Sequence, residues 1–303
     1  MKRILPLSAI LKNLRLVIPV GLILGGIIST AQAVVILSDD FEYADQAAFE
    51  ANWPAIGTAA PFSAELSTAQ AVSGIKSIRS PGTAANNQSR NQRMFTETGA
   101  LAPGDKLVWS FDYYDSAPTA NPQRNHNNLQ DSTAPSGTNQ LLAMGFNNNQ
   151  TGANSGGQFY MARILGFTPS TVADPDGGPA ESVSASGSFF KLNDFATSPT
   201  RSLGWHNLKV EISTDDGLST DFAYYVDNVL AERVSNVGTD TTIRSYDLIR
   251  IGSGLSNGST EAFTDNMQLE LIPVPEPGAL ALLSMGVLGL AARRRRAKSP
   301  SDF

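Results

Sequence analysis

Short runs in which apolar and polar residues alternate recur through the middle of the chain. In residues 106–115, Leu107, Trp109 and Phe111 would share one face of a strand, and residues 205–213 repeat the pattern. Alternation with a period of two is typical of β-strands that bury one face. The same pattern predicts strands over residues 140–146, 158–165, 188–192, 221–226, 229–234, 246–252 and 263–272. No long stretch has the period of a helix.

These runs amount to about a dozen strands separated by clusters of Gly, Pro, Asn and Asp. Asp227 and Asn228, between two of the runs, are typical of the tight turn of a β-hairpin. A dozen strands are too many for one open sheet in a chain of this length. The pattern therefore predicts an all-β fold in which two antiparallel sheets pack as a sandwich.

One long segment between the predicted strands is almost without apolar residues. Residues 116–139 are rich in Pro, Asn and Ser, and they include His126. Segments of this length without secondary structure are either functional or disordered. We expect a mobile insertion on the surface here.

The N-terminus has the layout of a secretory signal. A basic segment with Lys2 and Arg3 precedes an apolar run over residues 16–28, and Ala31 and Ala33 form a small-x-small cleavage site. This layout predicts a signal helix, export by the Sec machinery and cleavage by signal peptidase after Ala33. An uncleaved anchor is the alternative, but the apolar run is short for a membrane span.

A second apolar segment lies near the C-terminus. Residues 278–292 carry no charge, and as a helix they would extend about 22 Å, less than the roughly 30 Å hydrocarbon core of a bilayer. Long basic side chains after the segment can reach the headgroups, and they hold this flank in the cytoplasm. Those residues are Arg293, Arg294, Arg295 and Arg296. A transmembrane helix here would place the body of the protein beyond the inner membrane.

Val274, Pro275, Glu276 and Pro277 stand directly before this segment. Proline disfavours helix in its own and the preceding position, so the chain is expected to be extended and accessible to a protease. The order of Pro-Glu-Pro, apolar span and arginine cluster resembles the PEP-CTERM sorting signal of Gram-negative bacteria. The resemblance implies cleavage by an exosortase, a transient anchor in the inner membrane, and then transfer to the cell surface or release. It also implies an exopolysaccharide-producing host.

The chain thus divides into a signal peptide (1–33), a β-sandwich domain (34–272), a sorting signal (273–298) and a tail (299–303). Residues 34–292 carry 13 Lys and Arg against 27 Asp and Glu, a net charge of −14. So acidic a body does not bind nucleic acid in bulk. The chain has no cysteine, so the exported domain must be stabilised by its core rather than by disulfides.

The stretches GWHNLKVEISTDDGLSTDFAYYVDNVLAERV (204–234) and AFTDNMQLELI (262–272) are similar to concanavalin A-like lectin and glucanase domains, including laminin-G-like domains. The resemblance implies that the sandwich is a jelly roll. A shared fold does not settle function.

Residues for catalysis are sparse. His206 falls on the apolar face of its strand, where it is expected to be a satisfied core histidine, so neither a Ser-His-Asp set nor a histidine zinc site is predicted. Glucanases of this fold carry Glu-x-Asp-x-x-Glu on one strand, a spacing that this chain lacks. Asp112 and Asp115 would face opposite sides of their strand. We therefore expect no enzyme, and no pair of carboxylates about 5–10 Å apart on a sheet that lines a cleft.

A structural Ca²⁺ is a further prediction. Asp265 shares a face of the last strand with Phe263 and Met267, and a carboxylate there must be paired, hydrogen-bonded or bound to metal. In jelly rolls the first and last strands lie side by side, which would bring Asp39 and Asp40 close to Asp265. Such a cluster of hard oxygen atoms suits calcium. The alternative is that Asp265 caps a turn.

For carbohydrate binding, a sandwich presents aromatic and polar groups on one exposed sheet. Asp112, Tyr114 and Tyr225 are the candidates, with ordinary half-buried strand residues as the alternative. The sequence therefore predicts a non-catalytic, exported protein of the cell surface or extracellular matrix that associates with exopolysaccharide in a biofilm. A carbohydrate-active enzyme, either a glycoside hydrolase or a lyase, is the alternative.

Overall fold

The computed structural model of the chain describes residues 32–56, 64–81, 91–118, 124–132, 141–147, 158–165, 172–173, 189–217, 219–236, 245–252 and 260–274. These residues belong to one compact unit, Ala31–Val274. The apolar segments of the predicted signal helix and transmembrane helix lie outside the described residues. Within the described residues, no helix has the length and apolar character that a membrane span requires.

Fifteen strands and one short helix are present in the described residues: β1 (Val34–Asp39), α1 (Gln46–Asn52), β2 (Glu65–Ser67), β3 (Ser77–Ser80), β4 (Asn91–Met94), β5 (Lys106–Asp115), β6 (Arg124–Gln130), β7 (Leu141–Asn147), β8 (Met161–Leu165), β9 (Val172–Ala173), β10 (Phe189–Lys191), β11 (Gly204–Ser213), β12 (Thr220–Val226), β13 (Val229–Asn236), β14 (Leu248–Ile251) and β15 (Ala262–Ile272). Each strand predicted from the alternation is present, with shifts of a few residues at the ends.

The strands form two sheets, and every pairing is antiparallel. The larger sheet has the order β2-β3-β15-β5-β11-β12-β13-β9, and β1 also pairs with β15. The smaller sheet has the order β10-β8-β7-β6-β14-β4. The predicted pair of antiparallel sheets is confirmed, and so is the adjacency of the first and last strands.

The core lies between the two sheets. Along β5, buried and half-buried residues alternate strictly, and the buried set includes Trp109, Phe111 and Tyr113. The Tyr113 ring contacts Phe146 of the smaller sheet at a centroid distance of 5.5 Å. Because the apolar faces of both sheets meet in this way, the arrangement is a β-sandwich.

The predicted mobile insertion over residues 116–139 was wrong, because β6 lies within it as an inner strand of the smaller sheet. β6 buries amides in place of aliphatic side chains. Asn127 Nδ2 donates to Thr264 Oγ1 at 3.0 Å, and Asn127 Oδ1 accepts from the Gly252 N–H at 3.2 Å. Asn125 Nδ2 donates to the Thr260 carbonyl oxygen at 2.8 Å. Buried amides are tolerated when they are hydrogen-bonded, and counting apolar residues cannot detect them.

Two local features carry positive φ angles. Asp227 and Asn228 have φ of 52° and 63°, which confirms the predicted tight turn between β12 and β13. In β15, Asn266 has φ of 46° and the register against β5 shifts after Asp265. This is a β-bulge, which redirects the side chains around it.

The helix α1 was not predicted from the sequence, because it is only seven residues long. Asp45 caps its N-terminus by accepting a hydrogen bond from the Ala48 N–H at 2.8 Å. Phe49 is fully buried and anchors the helix on the core.

Candidate functional site

The two sheets differ in the charges that their strands carry. The described strands of the smaller sheet contain no Asp or Glu, and their basic residues are Arg93, Arg124, Arg163, Lys191 and Arg250. The described strands of the larger sheet contain nine acidic residues against four basic ones. The charged residues in the described strands of the smaller sheet are therefore all basic, on a body whose net charge is negative.

One row of side chains crosses all six strands of the smaller sheet on the face opposite the core. The strand registers place its members side by side: Phe189, Arg163, Ala143, Asn128, Arg250 and Gln92. We call this set the basic row. Arg163 and Arg250 are half-buried, and Asn128 between them is only 4% exposed. Adjacent strands are about 4.8 Å apart, so the two arginines are separated by about 14 Å along the row.

Neighbouring groups orient the arginines of the basic row. The Arg163 guanidinium lies 5.4 Å from the centre of the Phe189 ring, and burial lowers the pKa of Arg163. Arg250 Nε donates to Gln92 Oε1 at 3.3 Å. A guanidinium is a planar fork that binds carboxylate or phosphate oxygens in pairs. The basic row thus has the chemistry to bind anionic groups.

His126 lies beside the basic row and not in a loop. In β6 it is opposite Gly145 of β7, and its ring contacts Phe189 at 5.2 Å. Gly145 has no room for a side chain, since a Cβ atom would lie 2.3 Å from the Asn125 carbonyl oxygen. The basic row and His126 were not predicted from the sequence, because the residues of β6 were interpreted as an insertion. The sequence did contain a signal for the basic row, because several of the predicted strands carry a basic residue and no acidic residue.

The three predicted ligand residues lie on the outward face of the larger sheet. Tyr114 is between Trp205 and Phe263, with ring centroids 5.4 Å and 5.8 Å away. Tyr225 lies under the Lys209 ammonium group at 4.2 Å. The rings of Tyr114 and Tyr225 thus already contact other side chains of the protein, and the basic row lies on the other sheet. The three residues thus form no common site with it.

Asp112, the third of the predicted ligand residues, is directly opposite Asp265 in the register of β5 and β15. Asp112 accepts hydrogen bonds from Asn207 and Asn266 at 2.9 Å and 2.8 Å. Asp265 is completely buried and accepts from the backbone N–H groups of Val72 and Ser73. Because Asp265 is covered, the pair cannot face a substrate as glycosidase carboxylates do. The expectation that no carboxylate pair lines a cleft stays a prediction.

The predicted calcium ligands lie near one another, but each has partners of its own. Asp39 is opposite Met267, two positions after Asp265. Its Oδ2 atom accepts from the Tyr43 hydroxyl, from Trp53 Nε1 at 2.8 Å and from Arg93 Nη1 at 2.6 Å. Asp40 is exposed. Among the described residues, no group of three or more Asp, Glu, His or Cys is arranged to hold a metal ion.

His206 lies on the inward side of β11, as predicted, and its ring nitrogens have partners. Those partners are Ser202 Oγ at 2.9 Å from Nε2 and Asp227 Oδ2 at 2.8 Å from Nδ1. The statement that no Ser-His-Asp set can be formed was therefore wrong. The sequence could not show it, because Asp227 comes from a turn 21 residues away.

The predicted sorting and cleavage residues fall mostly beyond the described residues. Ala33 and Val274 are described and both are exposed. The Val274 N–H donates to Asp105 Oδ1 at 3.1 Å, directly after β15 ends. Ala31 and residues 275–296 lie outside the described part of the chain.

Comparison with known proteins identifies the C-terminal segment. Residues 273–296 match the PEP-CTERM protein-sorting motif, which confirms the resemblance seen in the sequence. This motif implies an exosortase as the processing partner, with export and transient membrane sorting toward the cell surface. No curated protein matches the chain.

Three solved structures are similar to about four fifths of the chain. An endo-β-1,4-glucuronan lyase from the fungus Trichoderma reesei has 13% identity and a TM-score of 0.46, covering 78% of this chain and 95% of that one. A carbohydrate esterase from the Shiga toxin-encoding bacteriophage phi24B has 14% identity and a TM-score of 0.48, covering 80% and 100%. An endo-1,3-β-glucanase from Streptomyces sioyaensis has 13% identity and a TM-score of 0.46, covering 80% and 97%.

Proposed function

We propose that this protein is delivered to the surface or matrix of a Gram-negative cell, where it binds an anionic exopolysaccharide of the biofilm without cleaving the glycan chain. The observation that carries the proposal is the basic row on a sheet whose described strands have no acidic residue. The acidic body repels polyanions in general, so binding is confined to this face.

The chemistry of the basic row suits a negatively charged sugar polymer. Arg163 and Arg250, which are half-buried, would each pair with a carboxylate or another acidic substituent. Phe189 at the end of the row is only 2% exposed, and its ring supports the Arg163 guanidinium. The separation of about 14 Å between the arginines favours an extended polymer that carries charges at intervals over a single small anion.

Binding of the full chain, purified in detergent, to immobilised glycans tests the proposal. We expect retention on uronate-containing polymers and much weaker retention on neutral glucans. Arg163→Gln and Arg250→Gln should each weaken binding about 10-fold, the loss of one charge-assisted hydrogen bond of roughly 1.4 kcal/mol. Raising the salt concentration should weaken the wild type more than either variant.

Arg79→Gln is the matched control. Arg79 is on the larger sheet, where it pairs with Glu65 and Glu261 at 2.7 Å, so its replacement should leave glycan binding unchanged. Equal binding to neutral and anionic glycans, or equal loss in all three variants, would contradict the proposal.

A carbohydrate-active enzyme is the second candidate, and the position of His126 favours it. His126 is 3% exposed, so movement of the side chains that cover it, such as Phe189, would be needed before its imidazole moves a proton at the sugar, as a lyase requires. New reducing ends or unsaturated sugars, formed from an anionic glycan by the wild type and not by His126→Gln, would replace the binding function with this one.

A further inference from the structure

Ser202, His206 and Asp227 form a continuous hydrogen-bonded chain. Ser202 Oγ is 2.9 Å from His206 Nε2, and His206 Nδ1 is 2.8 Å from Asp227 Oδ2. Ser202 is exposed, while the His206 side chain is only 11% exposed. The serine end of the chain can thus be reached by a substrate, and the histidine is shielded from bulk water.

The carboxylate decides where the proton of the imidazole lies. An ionised Asp227 can only accept hydrogen bonds, so Nδ1 must hold the proton that is shared with it. In the neutral ring, Nε2 is then an acceptor and takes the hydroxyl hydrogen of Ser202. The Ser202 carbonyl oxygen, 3.0 Å from Nε2, can accept a hydrogen bond once that nitrogen has gained a proton.

Both ends of the hydrogen-bonded chain are fixed by the fold. The Asp227 N–H donates to the Asn207 carbonyl oxygen at 2.9 Å, and Asp227 Oδ1 accepts from the Asn207 N–H at 2.9 Å. Arg201, which precedes the serine, is buried and donates to Asp115 from Nε at 2.7 Å and from Nη2 at 3.0 Å. The His206 ring packs on Tyr160 at 5.5 Å. Such rigidity is what positions a nucleophile and its base.

From this geometry we infer that the protein has a second function, the hydrolysis of small carboxylic esters with Ser202 as nucleophile. The inference goes beyond glycan binding and does not depend on it. Ser202 stands at the surface beside Leu203, which is 67% exposed and offers an apolar contact for an acyl chain. An open position of this kind suits short acyl groups attached to a larger alcohol.

The reaction proceeds in two balanced steps. Ser202 Oγ forms a bond to the carbonyl carbon while its proton moves to His206 Nε2, and that proton then leaves with the alcohol as the ester C–O bond breaks. Water next attacks the acyl-serine, gives a proton to His206 and releases the carboxylic acid as Ser202 regains its hydrogen. His206 acts on the reacting atoms, and Asp227 is a positioning residue.

Covalent labelling of the full chain in detergent tests the inference. A fluorophosphonate probe should modify Ser202, which peptide mass spectrometry identifies. The wild type should hydrolyse p-nitrophenyl acetate and butyrate above the level of Ser202→Ala. His206→Gln should reduce kcat by about 10²–10⁴-fold, the usual contribution of a general base. Asp227→Asn should lower kcat while the folded fraction, measured by circular dichroism, stays that of the wild type, and Asp227→Glu, which keeps the carboxylate, should restore part of the rate.

Ser219→Ala is the matched control. Ser219 Oγ donates to Asp216 Oδ1 at 2.8 Å and has no histidine partner among the hydrogen bonds of the described residues, so it should contribute nothing to ester hydrolysis. An unlabelled Ser202 in the folded wild type, or hydrolysis that is equal in wild type and Ser202→Ala, would overturn the inference.

Discussion

Asp265 is directly opposite Asp112 on neighbouring strands, and Asp112 is half-buried whereas Asp265 is completely buried. Burial raises the pKa of Asp265, and the nearby Asp112 charge adds to the rise. Hydrogen bonds from the backbone N–H groups of Val72, Ser73 and Asn266 oppose it in part. The bulge at Asn266 makes this arrangement possible, because Asn266 donates both to Asp112 and, from its backbone, to Asp265.

The raised pKa predicts a pH-dependent comparison with Asp265→Asn. Protonation of a group whose pKa is raised by folding stabilises the fold, and this gain is lost as the pH rises through the folded pKa. The wild type should therefore gain stability relative to Asp265→Asn as the pH falls from 7 towards 4. Urea unfolding of both proteins at several pH values measures the difference. In an Asp112→Asn background the slope should be smaller, and a flat difference in the native background would contradict the account.

Asp39 connects the two sheets at one edge, and its loss should be costly. Arg93 belongs to the smaller sheet, whereas Asp39 belongs to the larger. Asp39→Asn removes the ion pair and weakens the contact with Trp53, which should lower the free energy of unfolding by about 2–4 kcal/mol. The exposed Asp40→Asn should change it by less than about 0.5 kcal/mol. Equal effects of the two substitutions in denaturant unfolding would be inconsistent with the observed contacts.

The calcium prediction depends on melting curves with and without chelator. An ion that binds only the folded state adds about 2.7 kcal/mol at a hundred times its Kd. If Asp39, Asp40 and Asp265 hold calcium, excess chelator lowers the Tm of the wild type and leaves that of Asp265→Ala unchanged. Coincident curves for the wild type would remove the ion. The destabilisation by Asp39→Asn should persist in either case, because it arises from Arg93.

The buried ion pair of Arg201 and Asp115 leads to a prediction about the free energy of unfolding. Their side chains are 1% and 0% exposed, and the guanidinium lies 4.5 Å from the Phe146 ring centre. Arg201→Met leaves a buried carboxylate without its cation, which should cost about 3–5 kcal/mol. The double variant Asp115→Leu/Arg201→Met should recover much of this loss. Calorimetry of the two variants decides between a charge effect, which the second change repairs, and a packing effect, which it does not.

Alternation predicted the fold because most strands bury one apolar face, as β5 does. It failed at β6, where Asn125 and Asn127 face the core, because the buried amides depend on partners such as Thr264 that are more than a hundred residues away. Neither the basic row nor the Ser202-His206-Asp227 set was predicted, for the same reason that both depend on residues distant in sequence. The basic row is assembled from six strands, and the partner of His206 comes from a turn that only the β11–β12 pairing brings close.

Sorting is tested at the C-terminus, where the PEP-CTERM motif matches residues 273–296. The sandwich ends at Ile272, and Val274 is exposed, so the Pro-Glu-Pro segment begins directly after the folded body. Replacing Pro275, Glu276 and Pro277 with alanines should leave export intact, because the predicted signal peptide is unchanged, but block the exosortase cut. The uncut form should then accumulate in the inner membrane, as fractionation and immunoblotting would show. A variant with Pro273→Ala alone keeps the Pro-Glu-Pro motif and should be processed normally. If the triple variant reaches the surface at the normal rate, the exosortase does not recognise the Pro-Glu-Pro motif.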